Sequence, residues 1–157
     1  MLRVKTHLPA GHARGPSSDR ITLAHDERRL RRKLLTSGTG VEVMVDFPAT
    51  LTLDPGDGLQ LEDDRIIEIA AADELLYEVR AKDAAHLLRL GWHIGNRHTP
   101  AQLEENRILI KRDHVLKTML EGLGASVVNV TEPFFAEHGA YHSHNHADAG
   151  HALLKRS

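Results

Sequence analysis

Five of the twelve histidines in this 157-residue chain fall between residues 138 and 151, in HGAYHSHNHADAGH. His142, His144 and His146 alternate with Ser143 and Asn145, and in an extended chain a period of two sends side chains to one side. Three imidazoles can therefore face one ion. The chain has no cysteine, which removes disulfides, thiolate catalysis and Cys-type zinc sites and leaves imidazole and carboxylate as the strong side-chain metal ligands. Neutral imidazole suits Ni, Zn, Cu and Fe, and spacing alone does not choose among them. Because a ligating imidazole must be neutral, affinity should fall as the pH drops through the ordinary histidine value of about 6.5. Metal binding is favoured over a tail that is merely solvated. An affinity tag is disfavoured, because other residues interrupt the histidines and Ala152-Leu153-Leu154-Lys155-Arg156-Ser157 follows them.

A second constellation is Gly91-Trp92-His93-Ile94-Gly95-Asn96-Arg97-His98-Thr99-Pro100. Glycine and asparagine tolerate positive φ, so the chain can leave a helix sharply here and present His98 in a loop. A lone histidine is more often structural than ligating. In a two-fold dimer built on this surface, however, one His98 becomes two. Tail histidines would supply the missing ligands of an open site that loads and releases an ion, whereas a structural zinc site is closed by four ligands of ordered chain. Asp113-His114 reads better as a helix cap and a surface residue than as a ligand pair. His7, His12, His25 and His86 have no partner spacing and read as structural or surface residues. No HExxH, GxSxG, GxxxxGK[ST] or cysteine nucleophile is present, so an enzyme is the weaker class. A His-based metal hydrolase would need a carboxylate base beside an open metal site.

The elements that must hold these residues fall into two halves. Residues 1–35 carry nine Lys and Arg against three Asp and Glu, net +6; residues 36–75 carry one against ten, net −9; residues 76–157 carry ten against nine, net +1. The first two blocks attract each other, and neither has helical periodicity, so residues 1–72 read as one N-terminal β domain. Its strand candidates are 21–24, 41–47, 51–53, 59–62 and 66–70. Turn-forming segments such as Asp54-Pro55-Gly56-Asp57-Gly58 separate them. Arg28 to Lys33 reads equally as a helix or as a strand with a basic outward face.

Residues 73–137 change pattern. Leu75 to Val79 is a strand candidate, and Lys82 to Leu90 places Ala84, Leu87 and Leu88 on one helix face. Glu104-Glu105-Asn106 marks a hairpin within 100–110. Leu116, Met119, Leu120 and Leu123 form a second helix face, with Asp113 as its cap and Gly122 and Gly124 near its end. Ala125 to Val130 closes the series. The order β, α, β, β, α, β is ferredoxin-like, giving an α+β fold overall. An RNA-recognition module shares this order, but aromatics are only 4% of the chain and the strands offer little beyond Tyr77 for stacking bases. From Pro133 no core-forming period survives, and residues 138–157 read as a flexible His-rich tail. No apolar run is long enough for a membrane helix, and the start lacks the apolar core of a secretory signal. A cytoplasmic protein without nucleic-acid or membrane partners is expected.

Taken together, LLRLGWHIGNRHTPAQLE, RDHVLKTMLEGLG and EPFFAEHGAYHSH, with LDPGDGLQLEDDRIIEIAAADE upstream, resemble the UreE family of urease accessory proteins, the nickel metallochaperones of urease maturation. The resemblance runs from about Arg20 to His146. It implies a β domain similar to the peptide-binding domain of heat-shock chaperones, a ferredoxin-like metal-binding domain and a homodimer joined through the latter. It carries nickel binding onto His98, the last residue of GNRH, with His142, His144 or His146 completing the site. It also implies Ni(II) as cargo with Zn(II) or Cu(II) as competitors, and as partners the urease apoprotein complex and its accessory GTPase. General storage or buffering of divalent metals is the alternative. Some members carry a further histidine before the Asp-His pair; here that position is Arg112, a cation that disfavours a peripheral metal site at Asp113 and His114.

Overall fold

The structure, a computed structural model, describes residues 1–11 and 14–140. The described residues divide into two compact units, one of residues 1–70 with 138–140 and one of Ala71–Glu137. Together they make an α+β fold of two sheets and two α-helices.

The first unit is built from β1 (Leu2–Leu8), β2 (Asp19–Leu23), a 3-10 turn (His25–Arg28), β3 (Arg29–Thr36), β4 (Glu42–Thr52), β5 (Gly58–Leu61) and β6 (Ile66–Ala71). Its sheet order is β2-β6-β5-β1-β4-β3. Side chains on alternate strand positions turn inward, so Ile21, Leu35, Val43, Leu59 and Ile69 meet in one core. Each fully buried aliphatic contributes about 1.5–3 kcal/mol. β1 lies outside the expected strands, although Leu2, Val4 and Thr6 alternating with Arg3 and Lys5 is a period-two pattern. The segment from Arg29 takes the strand alternative, with Leu30 and Leu35 buried and Arg29, Arg31, Arg32 and Lys33 exposed. The separate strand expected at 51–53 is a correction: Leu51 and Thr52 end β4, and Leu53 follows it. Leu30 pairs with Leu51 and Arg32 with Asp46, so Phe47–Thr50 bulge out opposite the single residue Arg31. Pro48 sits in that bulge, where its missing N–H costs no ladder bond.

The second unit runs β7 (Asp73–Arg80), α1 (Ala84–Asn96), β8 (Ala101–Leu103), β9 (Ile108–Lys111), α2 (His114–Gly122) and β10 (Ser126–Pro133). Its antiparallel sheet has the order β10-β7-β9-β8. One face packs Tyr77, Val79, Ile108 and Ile110 against Leu90 and Ile94 of α1 and Leu116 and Leu120 of α2.

Three expectations change in this unit. Helix α1 continues six residues past Leu90, through Gly91 and Gly95, to Asn96. Its core face is Leu87, Leu90 and Ile94, whereas Leu88, expected inside, is 77% exposed; the helix carries two adjacent apolar stripes, and the second one faces out. The core also does not stop at Pro133. Phe134 is fully buried with Leu76 and Leu109 on the opposite sheet face. Among the described residues no helix is long and apolar enough to cross a membrane.

Candidate metal centre

Helix α1 sets the geometry. Asp83 caps its start, accepting from His86 N–H at 2.8 Å and satisfying one of the orphan donors of the first turn. His86 also ties the helix to α2. The Lys82 N–H donates to His86 Nδ1 (3.0 Å), so Nε2 carries the ring proton and donates to the Leu123 carbonyl (2.8 Å). Past Asn96 the last turn tightens, with Arg97 N–H donating to the Ile94 carbonyl at 3.1 Å and His98 N–H to that of Gly95 at 3.0 Å. His98 then adopts φ +57°, occupying the left-handed position after the helix that glycine usually fills. Pro100 restricts Thr99 to extended backbone, and the chain enters β8.

The His98 side chain is exposed, and it has no hydrogen-bond or ion-pair partner among the described residues. On the helix leading to it, Leu88 and Trp92 (64% exposed) lie four residues apart, with Gly95 one turn further on, which makes one outward stripe. The Trp92 ring meets that of His93 edge-on, 5.1 Å between centroids.

The chain after β10 returns to this end of the sheet. Phe134 fills the core, Phe135 N–H donates to Gln102 Oε1 (2.9 Å), and Glu137 N–H donates to the Ala101 carbonyl (2.7 Å). This strap crosses from the β10 edge to the β8 edge and ends three residues along the chain from His98. The sequence pattern hid it because one aromatic carries the contact; the Phe134-Phe135 pair was the available signal.

His142, His144 and His146 lie outside the described residues, so no geometry joins them to His98. Among the described residues no group of three or more histidines, aspartates and glutamates is close enough to hold a metal ion. Asp113 acts as the expected cap, its Oδ1 accepting from Val115 N–H (2.9 Å) and Leu116 N–H (3.3 Å). Arg112 donates to the carbonyls of Leu76 and Val130, both at 3.1 Å, and so bridges β7 and β10. That bonding goes beyond what the sequence suggested for this position. Tyr77 is buried on the helix side, beneath the ammonium of Lys117 at 5.9 Å, and so provides no stacking surface. The opposite face carries ions instead: Arg107 bonds Glu78 (2.9 Å), Glu104 (3.0 Å) and Glu132 (2.7 Å). Hydrogen bonds from Arg80 and Arg107 hold the Glu78 carboxyl below its usual range, and those from Arg107 do the same for Glu104.

In the first unit, His7 has a partner that spacing did not reveal. Its Nε2 donates to Asp57 Oδ2 at 2.7 Å, and Asp57 also accepts from Ala10 N–H (2.8 Å) and Asp54 N–H (2.9 Å). Burial pushes the Asp57 carboxyl up, but the His7 bond and the two backbone bonds outweigh it and hold the group below the ordinary value.

Two family models cover nearly the whole chain. The UreE urease accessory protein N-terminal domain matches residues 2–72, and the UreE urease accessory protein C-terminal domain matches residues 74–155. Among curated proteins, "Urease accessory protein UreE" of Agrobacterium fabrum is 53% identical over 92% of this chain and 89% of its own length. The protein of the same name from Rhizobium leguminosarum bv. trifolii is 50% identical over 97% of this chain and 80% of its own, and that of Rhizobium meliloti is 54% identical over 82% and 84%. The chain therefore belongs to the UreE family of urease accessory proteins, and its part is that of an accessory chaperone rather than an enzyme.

Proposed function

We propose that the protein carries Ni(II) and delivers it for assembly of the urease active site. In this reading unit 2 is a ferredoxin-like domain that forms a homodimer. The exposed Leu88 and Trp92 stripe is the apolar surface a second copy would cover, with Gly95 allowing close approach. A two-fold axis beside it pairs the two His98 side chains, and His142, His144 or His146 complete an open coordination sphere. Zn(II) and Cu(II) compete for the same imidazoles. The accessory GTPase and the urease apoprotein complex receive the ion in the cytoplasm.

The observation that supports this reading is the Glu137 to Ala101 bond, which holds the last residue of the second unit near the His98 loop. Ala101 is three residues from His98, a span of about 11 Å at most; His142 is five residues from Glu137, reaching up to about 18 Å, and His146 reaches further. A tail histidine can therefore meet His98 without disturbing the sheet.

The test is calorimetric nickel titration with light scattering on the full chain, on His98→Ala and on a chain ending at Gly139. Loss of tight binding is expected in His98→Ala, and lower affinity or stoichiometry in the truncated chain, with the dimer intact in both. Unchanged tight binding in His98→Ala would sink the paired-histidine site. A truncated chain that binds as the full one does would remove the tail from it.

A further inference from the structure

Three contacts among the described residues hold the strap of residues 134–137. Phe134 packs with Leu76 and Leu109, Glu137 N–H donates to the Ala101 carbonyl, and Phe135 N–H donates to Gln102 Oε1 at 2.9 Å. The third is made by a polar side chain. Gln102 stands opposite Leu109 in the β8–β9 ladder, on the sheet face where that apolar cluster lies. An aliphatic side chain at this position would extend the cluster and stabilise the sheet through added apolar burial. An amide gives up that gain and makes a directed bond instead.

The neighbours of Gln102 decide which way its amide faces. One end of the group accepts and the other donates. Nε2 donates to Glu104 Oε2 at 2.7 Å, and Glu104 Oε1 accepts from Arg107 Nε at 3.0 Å. Arg107 is in turn held by Glu78 and Glu132. The Arg107 bond is the main cause that keeps the Glu104 carboxyl below its usual range, so Glu104 stays an anion and can only accept. An anion on that side takes Nε2 and turns Oε1 toward the Phe135 N–H. Its charge also strengthens the bond that sets the orientation.

We propose that Gln102 is a positioning residue for the metal centre: oriented by Glu104 and Arg107, it fixes the path of the strap and so the point from which the segment bearing His142, His144 and His146 departs. This rests on the nickel-carriage reading, in which those histidines meet His98. Gln102 lies four residues along the chain from His98 and next to Ala101, so both strap hydrogen bonds tie the segment's origin to the strand that follows the His98 loop. The ion cluster of Arg107 thereby acts on the site through Gln102, without touching the metal. The rival is a tie that only steadies the sheet, and it leaves the tail's contribution to binding unchanged.

Gln102→Leu keeps nearly the same shape, removes both amide bonds and sets an aliphatic group beside Leu109. Nickel titration is run on the full chain and on the chain ending at Gly139, each with and without this substitution, together with amide exchange and melting in chelator. The Phe135 amide should exchange about three- to tenfold faster in the variant, and nickel affinity of the full chain should fall about three- to tenfold, toward that of the truncated chain. The substitution should leave nickel binding of the truncated chain unchanged and the melting temperature of the second unit unchanged or raised. Glu104→Gln removes the orienting charge and should shift exchange and full-chain affinity in the same direction by about two- to threefold; it carries the test if Gln102→Leu does not fold. The proposal is overturned if Gln102→Leu frees the Phe135 amide while the full chain binds nickel as the parent does. It is also overturned if full and truncated chains weaken by the same factor, or if the Phe135 amide does not respond. A parent chain that binds nickel equally well with and without its tail refutes the underlying reading and this proposal with it, a result seen before any Gln102 variant is made.

Discussion

His98→Gly should make the protein more stable while removing its proposed metal ligand. His98 sits at φ +57°, where a side chain bearing Cβ costs about 1–2 kcal/mol, somewhat less for histidine than for most residues. Glycine relieves that cost but adds freedom to the unfolded chain, about 0.4–1 kcal/mol in the opposite sense. Because the imidazole has no bonding partner among the described residues, little else is lost. The net expectation is a gain of about 0.5–1 kcal/mol, or about 2–8 °C in the transition of the second unit. His98→Ala is the control: it keeps Cβ in the left-handed region and should gain nothing. Calorimetric melting with a chelator present reads the apo proteins, and nickel titration of the same samples reads the ligand. A glycine variant that melts at or below the parent temperature would refute the strain argument. One that melts higher but binds nickel as the parent does would refute the reason offered for keeping a histidine there.

Three further changes test the scaffold. Asp57→Asn removes the charge that receives His7, Ala10 and Asp54 and should cost about 2–3 kcal/mol at neutral pH by urea titration. The folded Asp57 carboxyl titrates below its unfolded value, so its contribution is complete above the ordinary carboxylate range and is lost as the pH falls through the folded value. The difference between parent and variant should therefore shrink in acid, and a constant difference would contradict the assignment. Asp113→Ala uncaps α2 and should cost about 1 kcal/mol by the same measurement, with nickel binding unchanged. Phe134→Ala should cost about 3–5 kcal/mol and should also abolish the affinity difference between the full chain and the chain ending at Gly139, because the strap no longer fixes where the tail begins.

The sequence made most elements legible where period and punctuation agree. In α2, Leu116 and Leu120 are buried, Asp113 caps the start, and Gly124 turns the chain at φ +90°, whereas Leu123, expected on the same face, is the exposed C-cap; apolar spacing, cap and exit pointed the same way up to the last turn. Legibility failed where the signals conflict. In α1, Leu87, Leu88, Leu90, Trp92 and Ile94 form more than one apolar face, and periodicity alone cannot say which one the sheet covers. Glycines 91 and 95 looked like an end yet lie inside the helix, because packing of Leu90 and Ile94 overrides a propensity cost of about 1 kcal/mol each. The β4 bulge was read as a gap because Pro48 interrupts a run whose register is decided by pairing with β3. The strap was invisible because its contacts are one buried ring and two hydrogen bonds to the far edge of the sheet, none of which leaves a period.

The two apolar stripes of α1 also bear on why its end carries a histidine at all. A helix that buries Leu87, Leu90 and Ile94 has satisfied its own sheet; Leu88 and Trp92 stay exposed, and in the proposed dimer a second copy covers them. Rigid positioning then falls to the helix, since the register of Trp92 fixes where the first residue beyond the C-cap projects. In the proposed reading His98 is one ordered ligand per chain, too few to close a coordination sphere and enough to seed one. The proposed carrier keeps its remaining ligands on a separate segment that begins after Phe134 and Glu137, and in that reading the sphere assembles and comes apart, as transfer of an ion requires.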